Sequence, residues 1–457
     1  MLYSFLLFLM RITVRIFFRS IHIRNKDVIP EKGPLLVLAN HPSTFMDPIV
    51  VAAILNRKVF FLAKGQLFKT GFSKWILPKF NIIPVYRKQD DPSQMVKNEE
   101  TFVKCYEHLE RNGAILMFPE GISITERKLH AIKTGASRIV LGAEARNDFK
   151  LGVHIVNIGL NYENPHRFNR DLFINIHKPI KVSDYKNAYL KDSFDGAKTL
   201  TLDITRQLEK LIIAIVDDKT DTLVKDIETL YKSHLSKERS LANNEKDAEF
   251  IITKNILETV NYFTEHDPIM VENIHQRIKS YFKNLNDLGI DDTALAPKQN
   301  RHSAIGNSLK SLAIILLGLP IWLFGWMNNF LAFEIPAFLA RKASDEIEWR
   351  GAIGMIGGMI TFPLFYSLQI ITFYKLTNHE ILTAIYGFSL PLSGLFAYWY
   401  YYRINEIRTN LMLLVLFYKK SIFISSLITE REQLITEFNK IKDRYLKIIS
   451  DNRKPFP

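Results

Sequence analysis

Two stretches toward the carboxyl end, residues 351–373 and 381–402, are apolar along almost their whole length. Each reaches the ~20 residues that an α-helix needs to cross a bilayer, so each reads as a span. The stretch before them, residues 309–340, is longer but is interrupted by Pro320, Asn328, Asn329, Glu334 and Pro336. As a single crossing it would put Arg341, Lys342 and Arg350 opposite the basic soluble half, against the tendency of Lys and Arg to stay on the cytoplasmic side. A hairpin that enters and leaves on one side is therefore expected over 309–340. It gathers that loop, the soluble half and the basic tail (Arg403, Arg408, Lys419, Lys420) on one face and leaves only residues 375–380 outside.

The rest of the chain divides around this membrane region, taken as 306–403. Residues 1–20 carry Arg11, Arg15 and Arg19 four apart beside Phe, Leu and Ile, a basic stripe next to an apolar one. This is an interfacial helix with its arginines toward headgroups rather than a cleaved leader, whose charges would precede the apolar run. Residues 183–305 are helical and charged, and 404–457 form a helical cytoplasmic tail. The formal charge of +13 favours polyanions. With long apolar segments and no nucleic-acid motif, the partners it points to are membrane lipids and phosphate-bearing substrates, not nucleic acid. One cysteine, Cys105, excludes an internal disulfide and a Cys-based zinc site, and the histidines show no metal-ligand spacing.

Residues 21–182 alternate short apolar runs with helical segments, the pattern of an α/β sheet with crossovers. Strands are expected at 35–39, 59–63, 80–86, 114–118, 153–160 and 173–177. Polar clusters follow two of them. Asn40-His41-Pro42-Ser43-Thr44-Phe45-Met46-Asp47 leaves the first strand, and Pro119-Glu120-Gly121-Ile122-Ser123 leaves the fourth. Clusters at strand exits are where an α/β sheet presents chemistry, and these two could meet in one crevice. His41 suits general base work, with Asp47 accepting from the other ring nitrogen to fix the tautomer. No serine or cysteine is an evident nucleophile, so the attacking hydroxyl belongs to the substrate. Arg87, after the run Ile82 to Tyr86, and Lys133, before a helix, are candidate phosphate ligands.

These residues carry a resemblance to the membrane-bound glycerolipid acyltransferases, the family of glycerol-3-phosphate and lysophosphatidate acyltransferases. Asn40-His41 to Asp47 is similar to its His/Asp motif, Asn81 to Arg87 to its second motif, Phe118-Pro119-Glu120-Gly121 to its third, and Ile155 to Tyr162 sits where its fourth lies. The resemblance implies an acyltransferase-type α/β sheet flanked by helices. It implies that His41 deprotonates an acceptor hydroxyl, which attacks the thioester of acyl-CoA or acyl-carrier protein. Asp47 would orient His41, Arg87 and Lys133 would hold phosphate, and Glu120 and Gly121, with Asn40 and Ser123 beside them, would shape the acceptor site. No metal and no bound cofactor are implied, and the catalytic domain would lie on the cytoplasmic face.

Three departures stand out. Five residues separate His41 from Asp47 where four are usual, as in the branch that includes fungal glycerol-3-phosphate/dihydroxyacetone-phosphate acyltransferases. Asn81 takes the place of a common glycine, and Asn157 that of a frequent proline. The acceptor expected is glycerol-3-phosphate, dihydroxyacetone phosphate or lysophosphatidate. The competing reading is a catalytically inactive lipid-binding membrane scaffold, against which stand His41, Asp47, Arg87 and Glu120 together. A carrier is disfavoured because Glu334 is the sole candidate intramembrane charge in 309–340.

Overall fold

The computed structural model describes residues 2–68, 70–86, 92–215, 217–240, 248–295, 301–343, 346–419 and 421–452. They form two units, Met1–Ala214 with Ile335–Ile360, and Ile215–Glu334 with Thr361–Pro457.

The first unit is built on one sheet of β1 (Ser20–Arg24), β2 (Leu35–Ala39), β3 (Val59–Lys64), β4 (Ile82–Val85), β5 (Ala114–Met117), β6 (His154–Tyr162), β7 (Asp171–Ile176) and β8 (Ile180–Lys181). The order across it is β1-β7-β6-β2-β5-β3-β4, with β8 beside β6. β2 lies between β5 and β6 and runs parallel to both, so all five of its residues are buried. That is why its sequence is a continuous apolar run instead of an alternation. Its side chains still divide by parity. Leu35, Val37 and Ala39 pack with α1 (Leu2–Phe17) and α2 (Met46–Ile54), whereas Leu36 and Leu38 pack on the other face. There they meet α4 (Asn98–Glu110), α5 (Gly135–Arg146) and α7 (Ser193–Leu211), while α3 (Gly71–Ile76) and α6 (Lys186–Lys191) are short connectors.

Parallel pairing fixes where the polar clusters go. The register sets Leu38 opposite Met117 and Lys64 opposite Val85, so β2, β5, β3 and β4 all release the chain at one edge of the sheet. The expected strand at 173–177 forms as β7, paired with β1, which the sequence reading placed in no strand.

Two expectations are corrected in this unit. The boundary expected at 182 lies further on, because Leu200, Ile204 and Leu208 of α7 are fully buried against the sheet. Residues 335–360 of the expected membrane region also belong here, with Ala352 and Met355 buried in the same core as Met46. Arg11 and Arg15 of α1, and Arg19 just beyond it, are all exposed. Arg11 donates to the carbonyls of Ala53 and Leu55 (3.0 and 2.7 Å) and so satisfies the open end of α2, and Arg19 pairs with Asp171. Beside these arginines the exposed side of α1 shows Phe5, Phe8, Ile12 and Ile16.

In the second unit α8 (Asp218–Ser240), α9 (Ala248–His266), α10 (Pro268–Leu288), α11 (Asp292–Leu295) and α15 (Ser421–Asn452) pack around a buried ion pair, Arg431 to Asp292 at 2.8 Å, to which the Tyr281 hydroxyl also donates (2.7 Å). The long helices α12 (Arg301–Ala343), α13 (Glu348–Thr377) and α14 (Glu380–Lys419) complete the chain. Among the described residues, three segments are long and apolar enough to cross a membrane: Ile314–Lys342, Glu348–Thr377 and Glu380–Ile404.

The hairpin expected over 309–340 does not form, because that segment lies inside the single helix α12. The asparagines read as breaks are accommodated by partners. Asn329 donates to Gly325 and Leu390 carbonyls (2.8 and 3.2 Å), and Tyr386 donates to Asn328 (2.8 Å). Gln369 donates to the Asn328 carbonyl (2.9 Å). Polar side chains that meet across apolar helices tie them together rather than turning the chain.

Candidate active site

His41 begins the loop between β2 and α2, and Asp47 lies in the first turn of α2, where the positive helix end favours a carboxylate. The His41 Nδ1 to Asp47 Oδ2 distance is 2.8 Å. A carboxylate only accepts, so Nδ1 carries the proton and Nε2 is the ring nitrogen presented as a base. Asp47 is fully buried and accepts two further bonds, from the Ser43 amide to Oδ2 (2.8 Å) and from the Tyr162 hydroxyl to Oδ1 (2.8 Å). Burial first, and then the Asp47 charge, push the Tyr162 hydroxyl well above its ordinary range, so it stays a donor. The imidazole stacks on Phe118 with ring centroids 4.0 Å apart, and 18% of the side chain is exposed, enough for a substrate hydroxyl to reach.

The five-residue spacing closes this geometry through Thr44, which adopts φ +23°, a value uncommon for a β-branched residue. The second cluster is joined to the first by three hydrogen bonds. The His41 amide donates to Glu120 Oε1 (2.9 Å), the Thr44 amide to Ser123 Oγ (2.7 Å), and the Thr125 hydroxyl to the Pro42 carbonyl (2.9 Å). Glu120 Oε2 accepts from the His130 amide (2.9 Å), so both oxygens of this carboxylate hold backbone. Burial raises the Glu120 carboxyl, and the two amides oppose that shift. Its part in the structure is to fix the loop at His41.

Asn40 also holds backbone. Its side chain accepts from the Leu160 amide (2.7 Å) and donates to the Leu160 carbonyl (3.0 Å), extending the β2–β6 ladder by one pair. Gly121 turns the chain at φ +70°, and a Cβ there would stand 2.9 Å from Lys133 Nζ, so glycine answers both the backbone and the lysine lying over it. The Lys133 amide donates to the Pro119 carbonyl (3.0 Å), which brings this cation to the Glu120–Gly121 turn. Arg87 lies outside the described residues. β4, which leads to it, ends at the same sheet edge as β2 and β5.

Sequence reasoning missed two contributors besides Tyr162 and Thr44. The start of α13 closes on the loop from about 300 positions away in the chain: the Glu348 carbonyl accepts from Thr44 Oγ1 (2.8 Å), its Oε1 accepts from the Thr125 amide (3.1 Å), and Trp349 meets Phe45 edge to face at 5.0 Å. His166 lies nearby with both ring nitrogens buried and without hydrogen-bond partners. No signal in the sequence points to either. A separate cavity of about 600 Å³, lined by residues such as Arg57, His108 and Gly113, opens at the opposite edge of the sheet and includes none of the residues above. Among the described residues no group of three His, Cys, Asp or Glu could hold a metal ion.

A mixed α/β sheet whose strand exits hold a histidine base, its buried carboxylate and a second braced polar loop defines a transferase or hydrolase that activates a hydroxyl of its substrate or of water. The family model described as Acyltransferase matches residues 20–161 of this chain. The chain is 23% identical to glycerol-3-phosphate O-acyltransferase 1 of Saccharomyces cerevisiae over 85% of its own length and 63% of that protein's. It is 21% identical to an uncharacterized acyltransferase of Schizosaccharomyces pombe over 95% of this chain and 80% of that one. A chloroplastic 1-acyl-sn-glycerol-3-phosphate acyltransferase of Arabidopsis thaliana is 26% identical over 31% of this chain and 36% of the relative. The chain thus spans less than two thirds of the Saccharomyces protein it matches.

Proposed function

We propose that this protein transfers a fatty acyl group from acyl-CoA or acyl-carrier protein to a hydroxyl of a phosphorylated glycerol in phospholipid biosynthesis. The observation that carries the reading is the 2.8 Å bond from His41 Nδ1 to a buried Asp47, which leaves Nε2 as the base. In the reaction Nε2 takes the proton of the acceptor hydroxyl while its oxygen attacks the thioester carbonyl carbon. The tetrahedral intermediate collapses by breaking the carbon–sulfur bond, and the imidazolium returns the proton to the departing thiolate. Asp47 stabilises the imidazolium and keeps the tautomer.

Arg87 and Lys133 hold the acceptor phosphate in this reading, Arg87 bidentately and Lys133 as a point charge. Glu120, Ser123 and Asn40 serve by fixing the loops, with Gly121 leaving room over the turn. The acceptor is glycerol-3-phosphate or dihydroxyacetone phosphate, with lysophosphatidate the alternative; the glycerol-3-phosphate and 1-acyl-sn-glycerol-3-phosphate acyltransferases among the relatives support this class of acceptor. The domain works at the cytoplasmic face of the membrane. The outward residues of α1, Phe5, Phe8, Ile12 and Ile16, support a bilayer contact for that helix.

The test is the purified full chain with labelled acyl-CoA or acyl-carrier protein against glycerol-3-phosphate, dihydroxyacetone phosphate and lysophosphatidate. An acylated product that disappears in His41→Ala is expected. Activity retained in His41→Ala refutes the dyad, and no product from any pairing refutes the reaction. Arg87→Ala should raise the acceptor KM far more than it lowers kcat.

A further inference from the structure

Thr44 is the one residue between His41 and Asp47 with a positive φ, at +23°. A β-branched residue does not rest there unaided. Two bonds from separate parts of the chain hold it. Its amide donates to Ser123 Oγ at 2.7 Å, and its hydroxyl donates to the Glu348 carbonyl at 2.8 Å. The turn it makes lets the Met46 amide reach the Ser43 carbonyl (2.8 Å) and start α2, which presents Asp47 to His41. Glu348 is itself held, since its carboxylate accepts from the Thr125 amide (3.1 Å) and Trp349 beside it packs on Phe45.

We propose that Thr44 is a positioning residue whose strained backbone sets the His41–Asp47 geometry, and that Glu348, at the first turn of the apolar helix α13, holds it there, so that the active site is complete only with this segment in place. The inference rests on the reading of His41 and Asp47 as the acyl-transfer dyad. Strain of this kind persists only where surrounding structure over-determines it, and here one fastening comes from α13 and the other from the β5 exit loop. Thr44 touches no reacting atom. Its effect is on the fraction of molecules in which the imidazole is aligned, which moves kcat and leaves acceptor binding alone.

The experiment compares Thr44→Val with Thr44→Gly in the full chain, with His41→Ala as the control on the dyad. Valine keeps the branched Cβ at a positive φ and loses the bond to Glu348, so the loop relaxes. Glycine loses the same bond but adopts the backbone without strain. Thr44→Val should lower kcat roughly ten- to a hundredfold with the acceptor KM within about twofold, and Thr44→Gly should keep kcat within about threefold of wild type. A direct substrate contact through the hydroxyl would damage both variants alike, and that outcome overturns the proposal, as does wild-type kcat in Thr44→Val. The α13 half is tested by Glu348→Ala, which should lower kcat, and Glu348→Gln, which keeps an acceptor for the Thr125 amide and should restore it. Wild-type kcat in Glu348→Ala overturns the part assigned to the Glu348 carboxylate in holding the residue's carbonyl against Thr44. Thermal unfolding midpoints near wild type for Thr44→Gly and Glu348→Gln keep the comparison valid if Thr44→Val folds poorly. Inactivity of His41→Ala separates failure of this inference from failure of the dyad.

Discussion

Replacing Asp47 by asparagine separates the charge of this side chain from its geometry. Three donors converge on the carboxylate: the Ser43 amide and His41 Nδ1–H on Oδ2, and the Tyr162 hydroxyl on Oδ1. The Ser43 amide cannot turn away, so the asparagine oxygen must take the Oδ2 position and its NH₂ must face Tyr162. A hydroxyl can rotate to accept from it. The tautomer of His41 is then preserved, and what is lost is the negative charge beside the imidazolium. For unit charges whose centres lie ~4 Å apart at an effective dielectric of ~20, that attraction is worth about 4 kcal/mol. At 1.36 kcal/mol per decade the expected loss in kcat is roughly 10³-fold. Stability should stay near wild type, because a buried charge is removed and each of the three contacts keeps a hydrogen bond, which offsets the Tyr162 proton left without its acceptor. The assay is kcat at saturating donor and acceptor alongside the unfolding midpoint in the same detergent. A kcat within tenfold of wild type refutes the electrostatic argument, and a large fall in midpoint refutes the orientation assigned to the asparagine.

The other predictions concern the surroundings. Tyr162→Phe leaves Asp47 Oδ1 buried without its 2.8 Å donor, which should cost about 1.5–3 kcal/mol of stability in an unfolding titration and lower kcat with little change in KM. Burial holds the His166 imidazole below its ordinary 6.5, with Glu348 and Asp47 opposing that shift and Arg350 adding to it. As pH falls through 6.5 the unfolded chain therefore takes the proton first, and this contribution to stability, intact above 6.5, is lost toward the folded value. His166→Phe should flatten the acid side of a midpoint-against-pH curve, and an unchanged curve removes His166 as its source. In the second unit Arg431→Leu strands Asp292 and should cost about 3–5 kcal/mol by chemical unfolding, while Arg431→Leu with Asp292→Leu should recover most of it.

The departures noted in the sequence have local explanations. Asn81 sits at φ +60°, a left-handed position that glycine fills freely and asparagine tolerates, so the substitution for glycine keeps the turn before β4. Asn157 donates to Gln207 Oε1 (2.7 Å) and so ties β6 to α7. Next to it Asn161 and Asn175 both donate to the Leu211 carbonyl (3.0 Å each), capping the end of α7 from the sheet. The strands and both polar loops were legible because buried strands must be apolar and their exits must not be. The roles of Glu120, Asn40 and Ser123 were not. A polar residue at a strand exit looks the same in sequence whether it faces substrate or holds a backbone amide.

The local elements and the candidate pair follow from the order of amino acids alone: the apolar run Leu35–Ala39, the spacing from His41 to Asp47, and apolar segments long enough to span a bilayer. Periodicity, propensity and side-chain chemistry act over a few residues, and a sequence displays them directly. It takes the folded chain to show that 309–340 runs as one helix, that Arg11 closes α2, and that Glu348 and Tyr162 fasten the loop carrying the dyad. Each of these depends on which hydrogen-bonding groups meet across hundreds of residues. That matching is settled by packing and leaves no periodic mark in the chain.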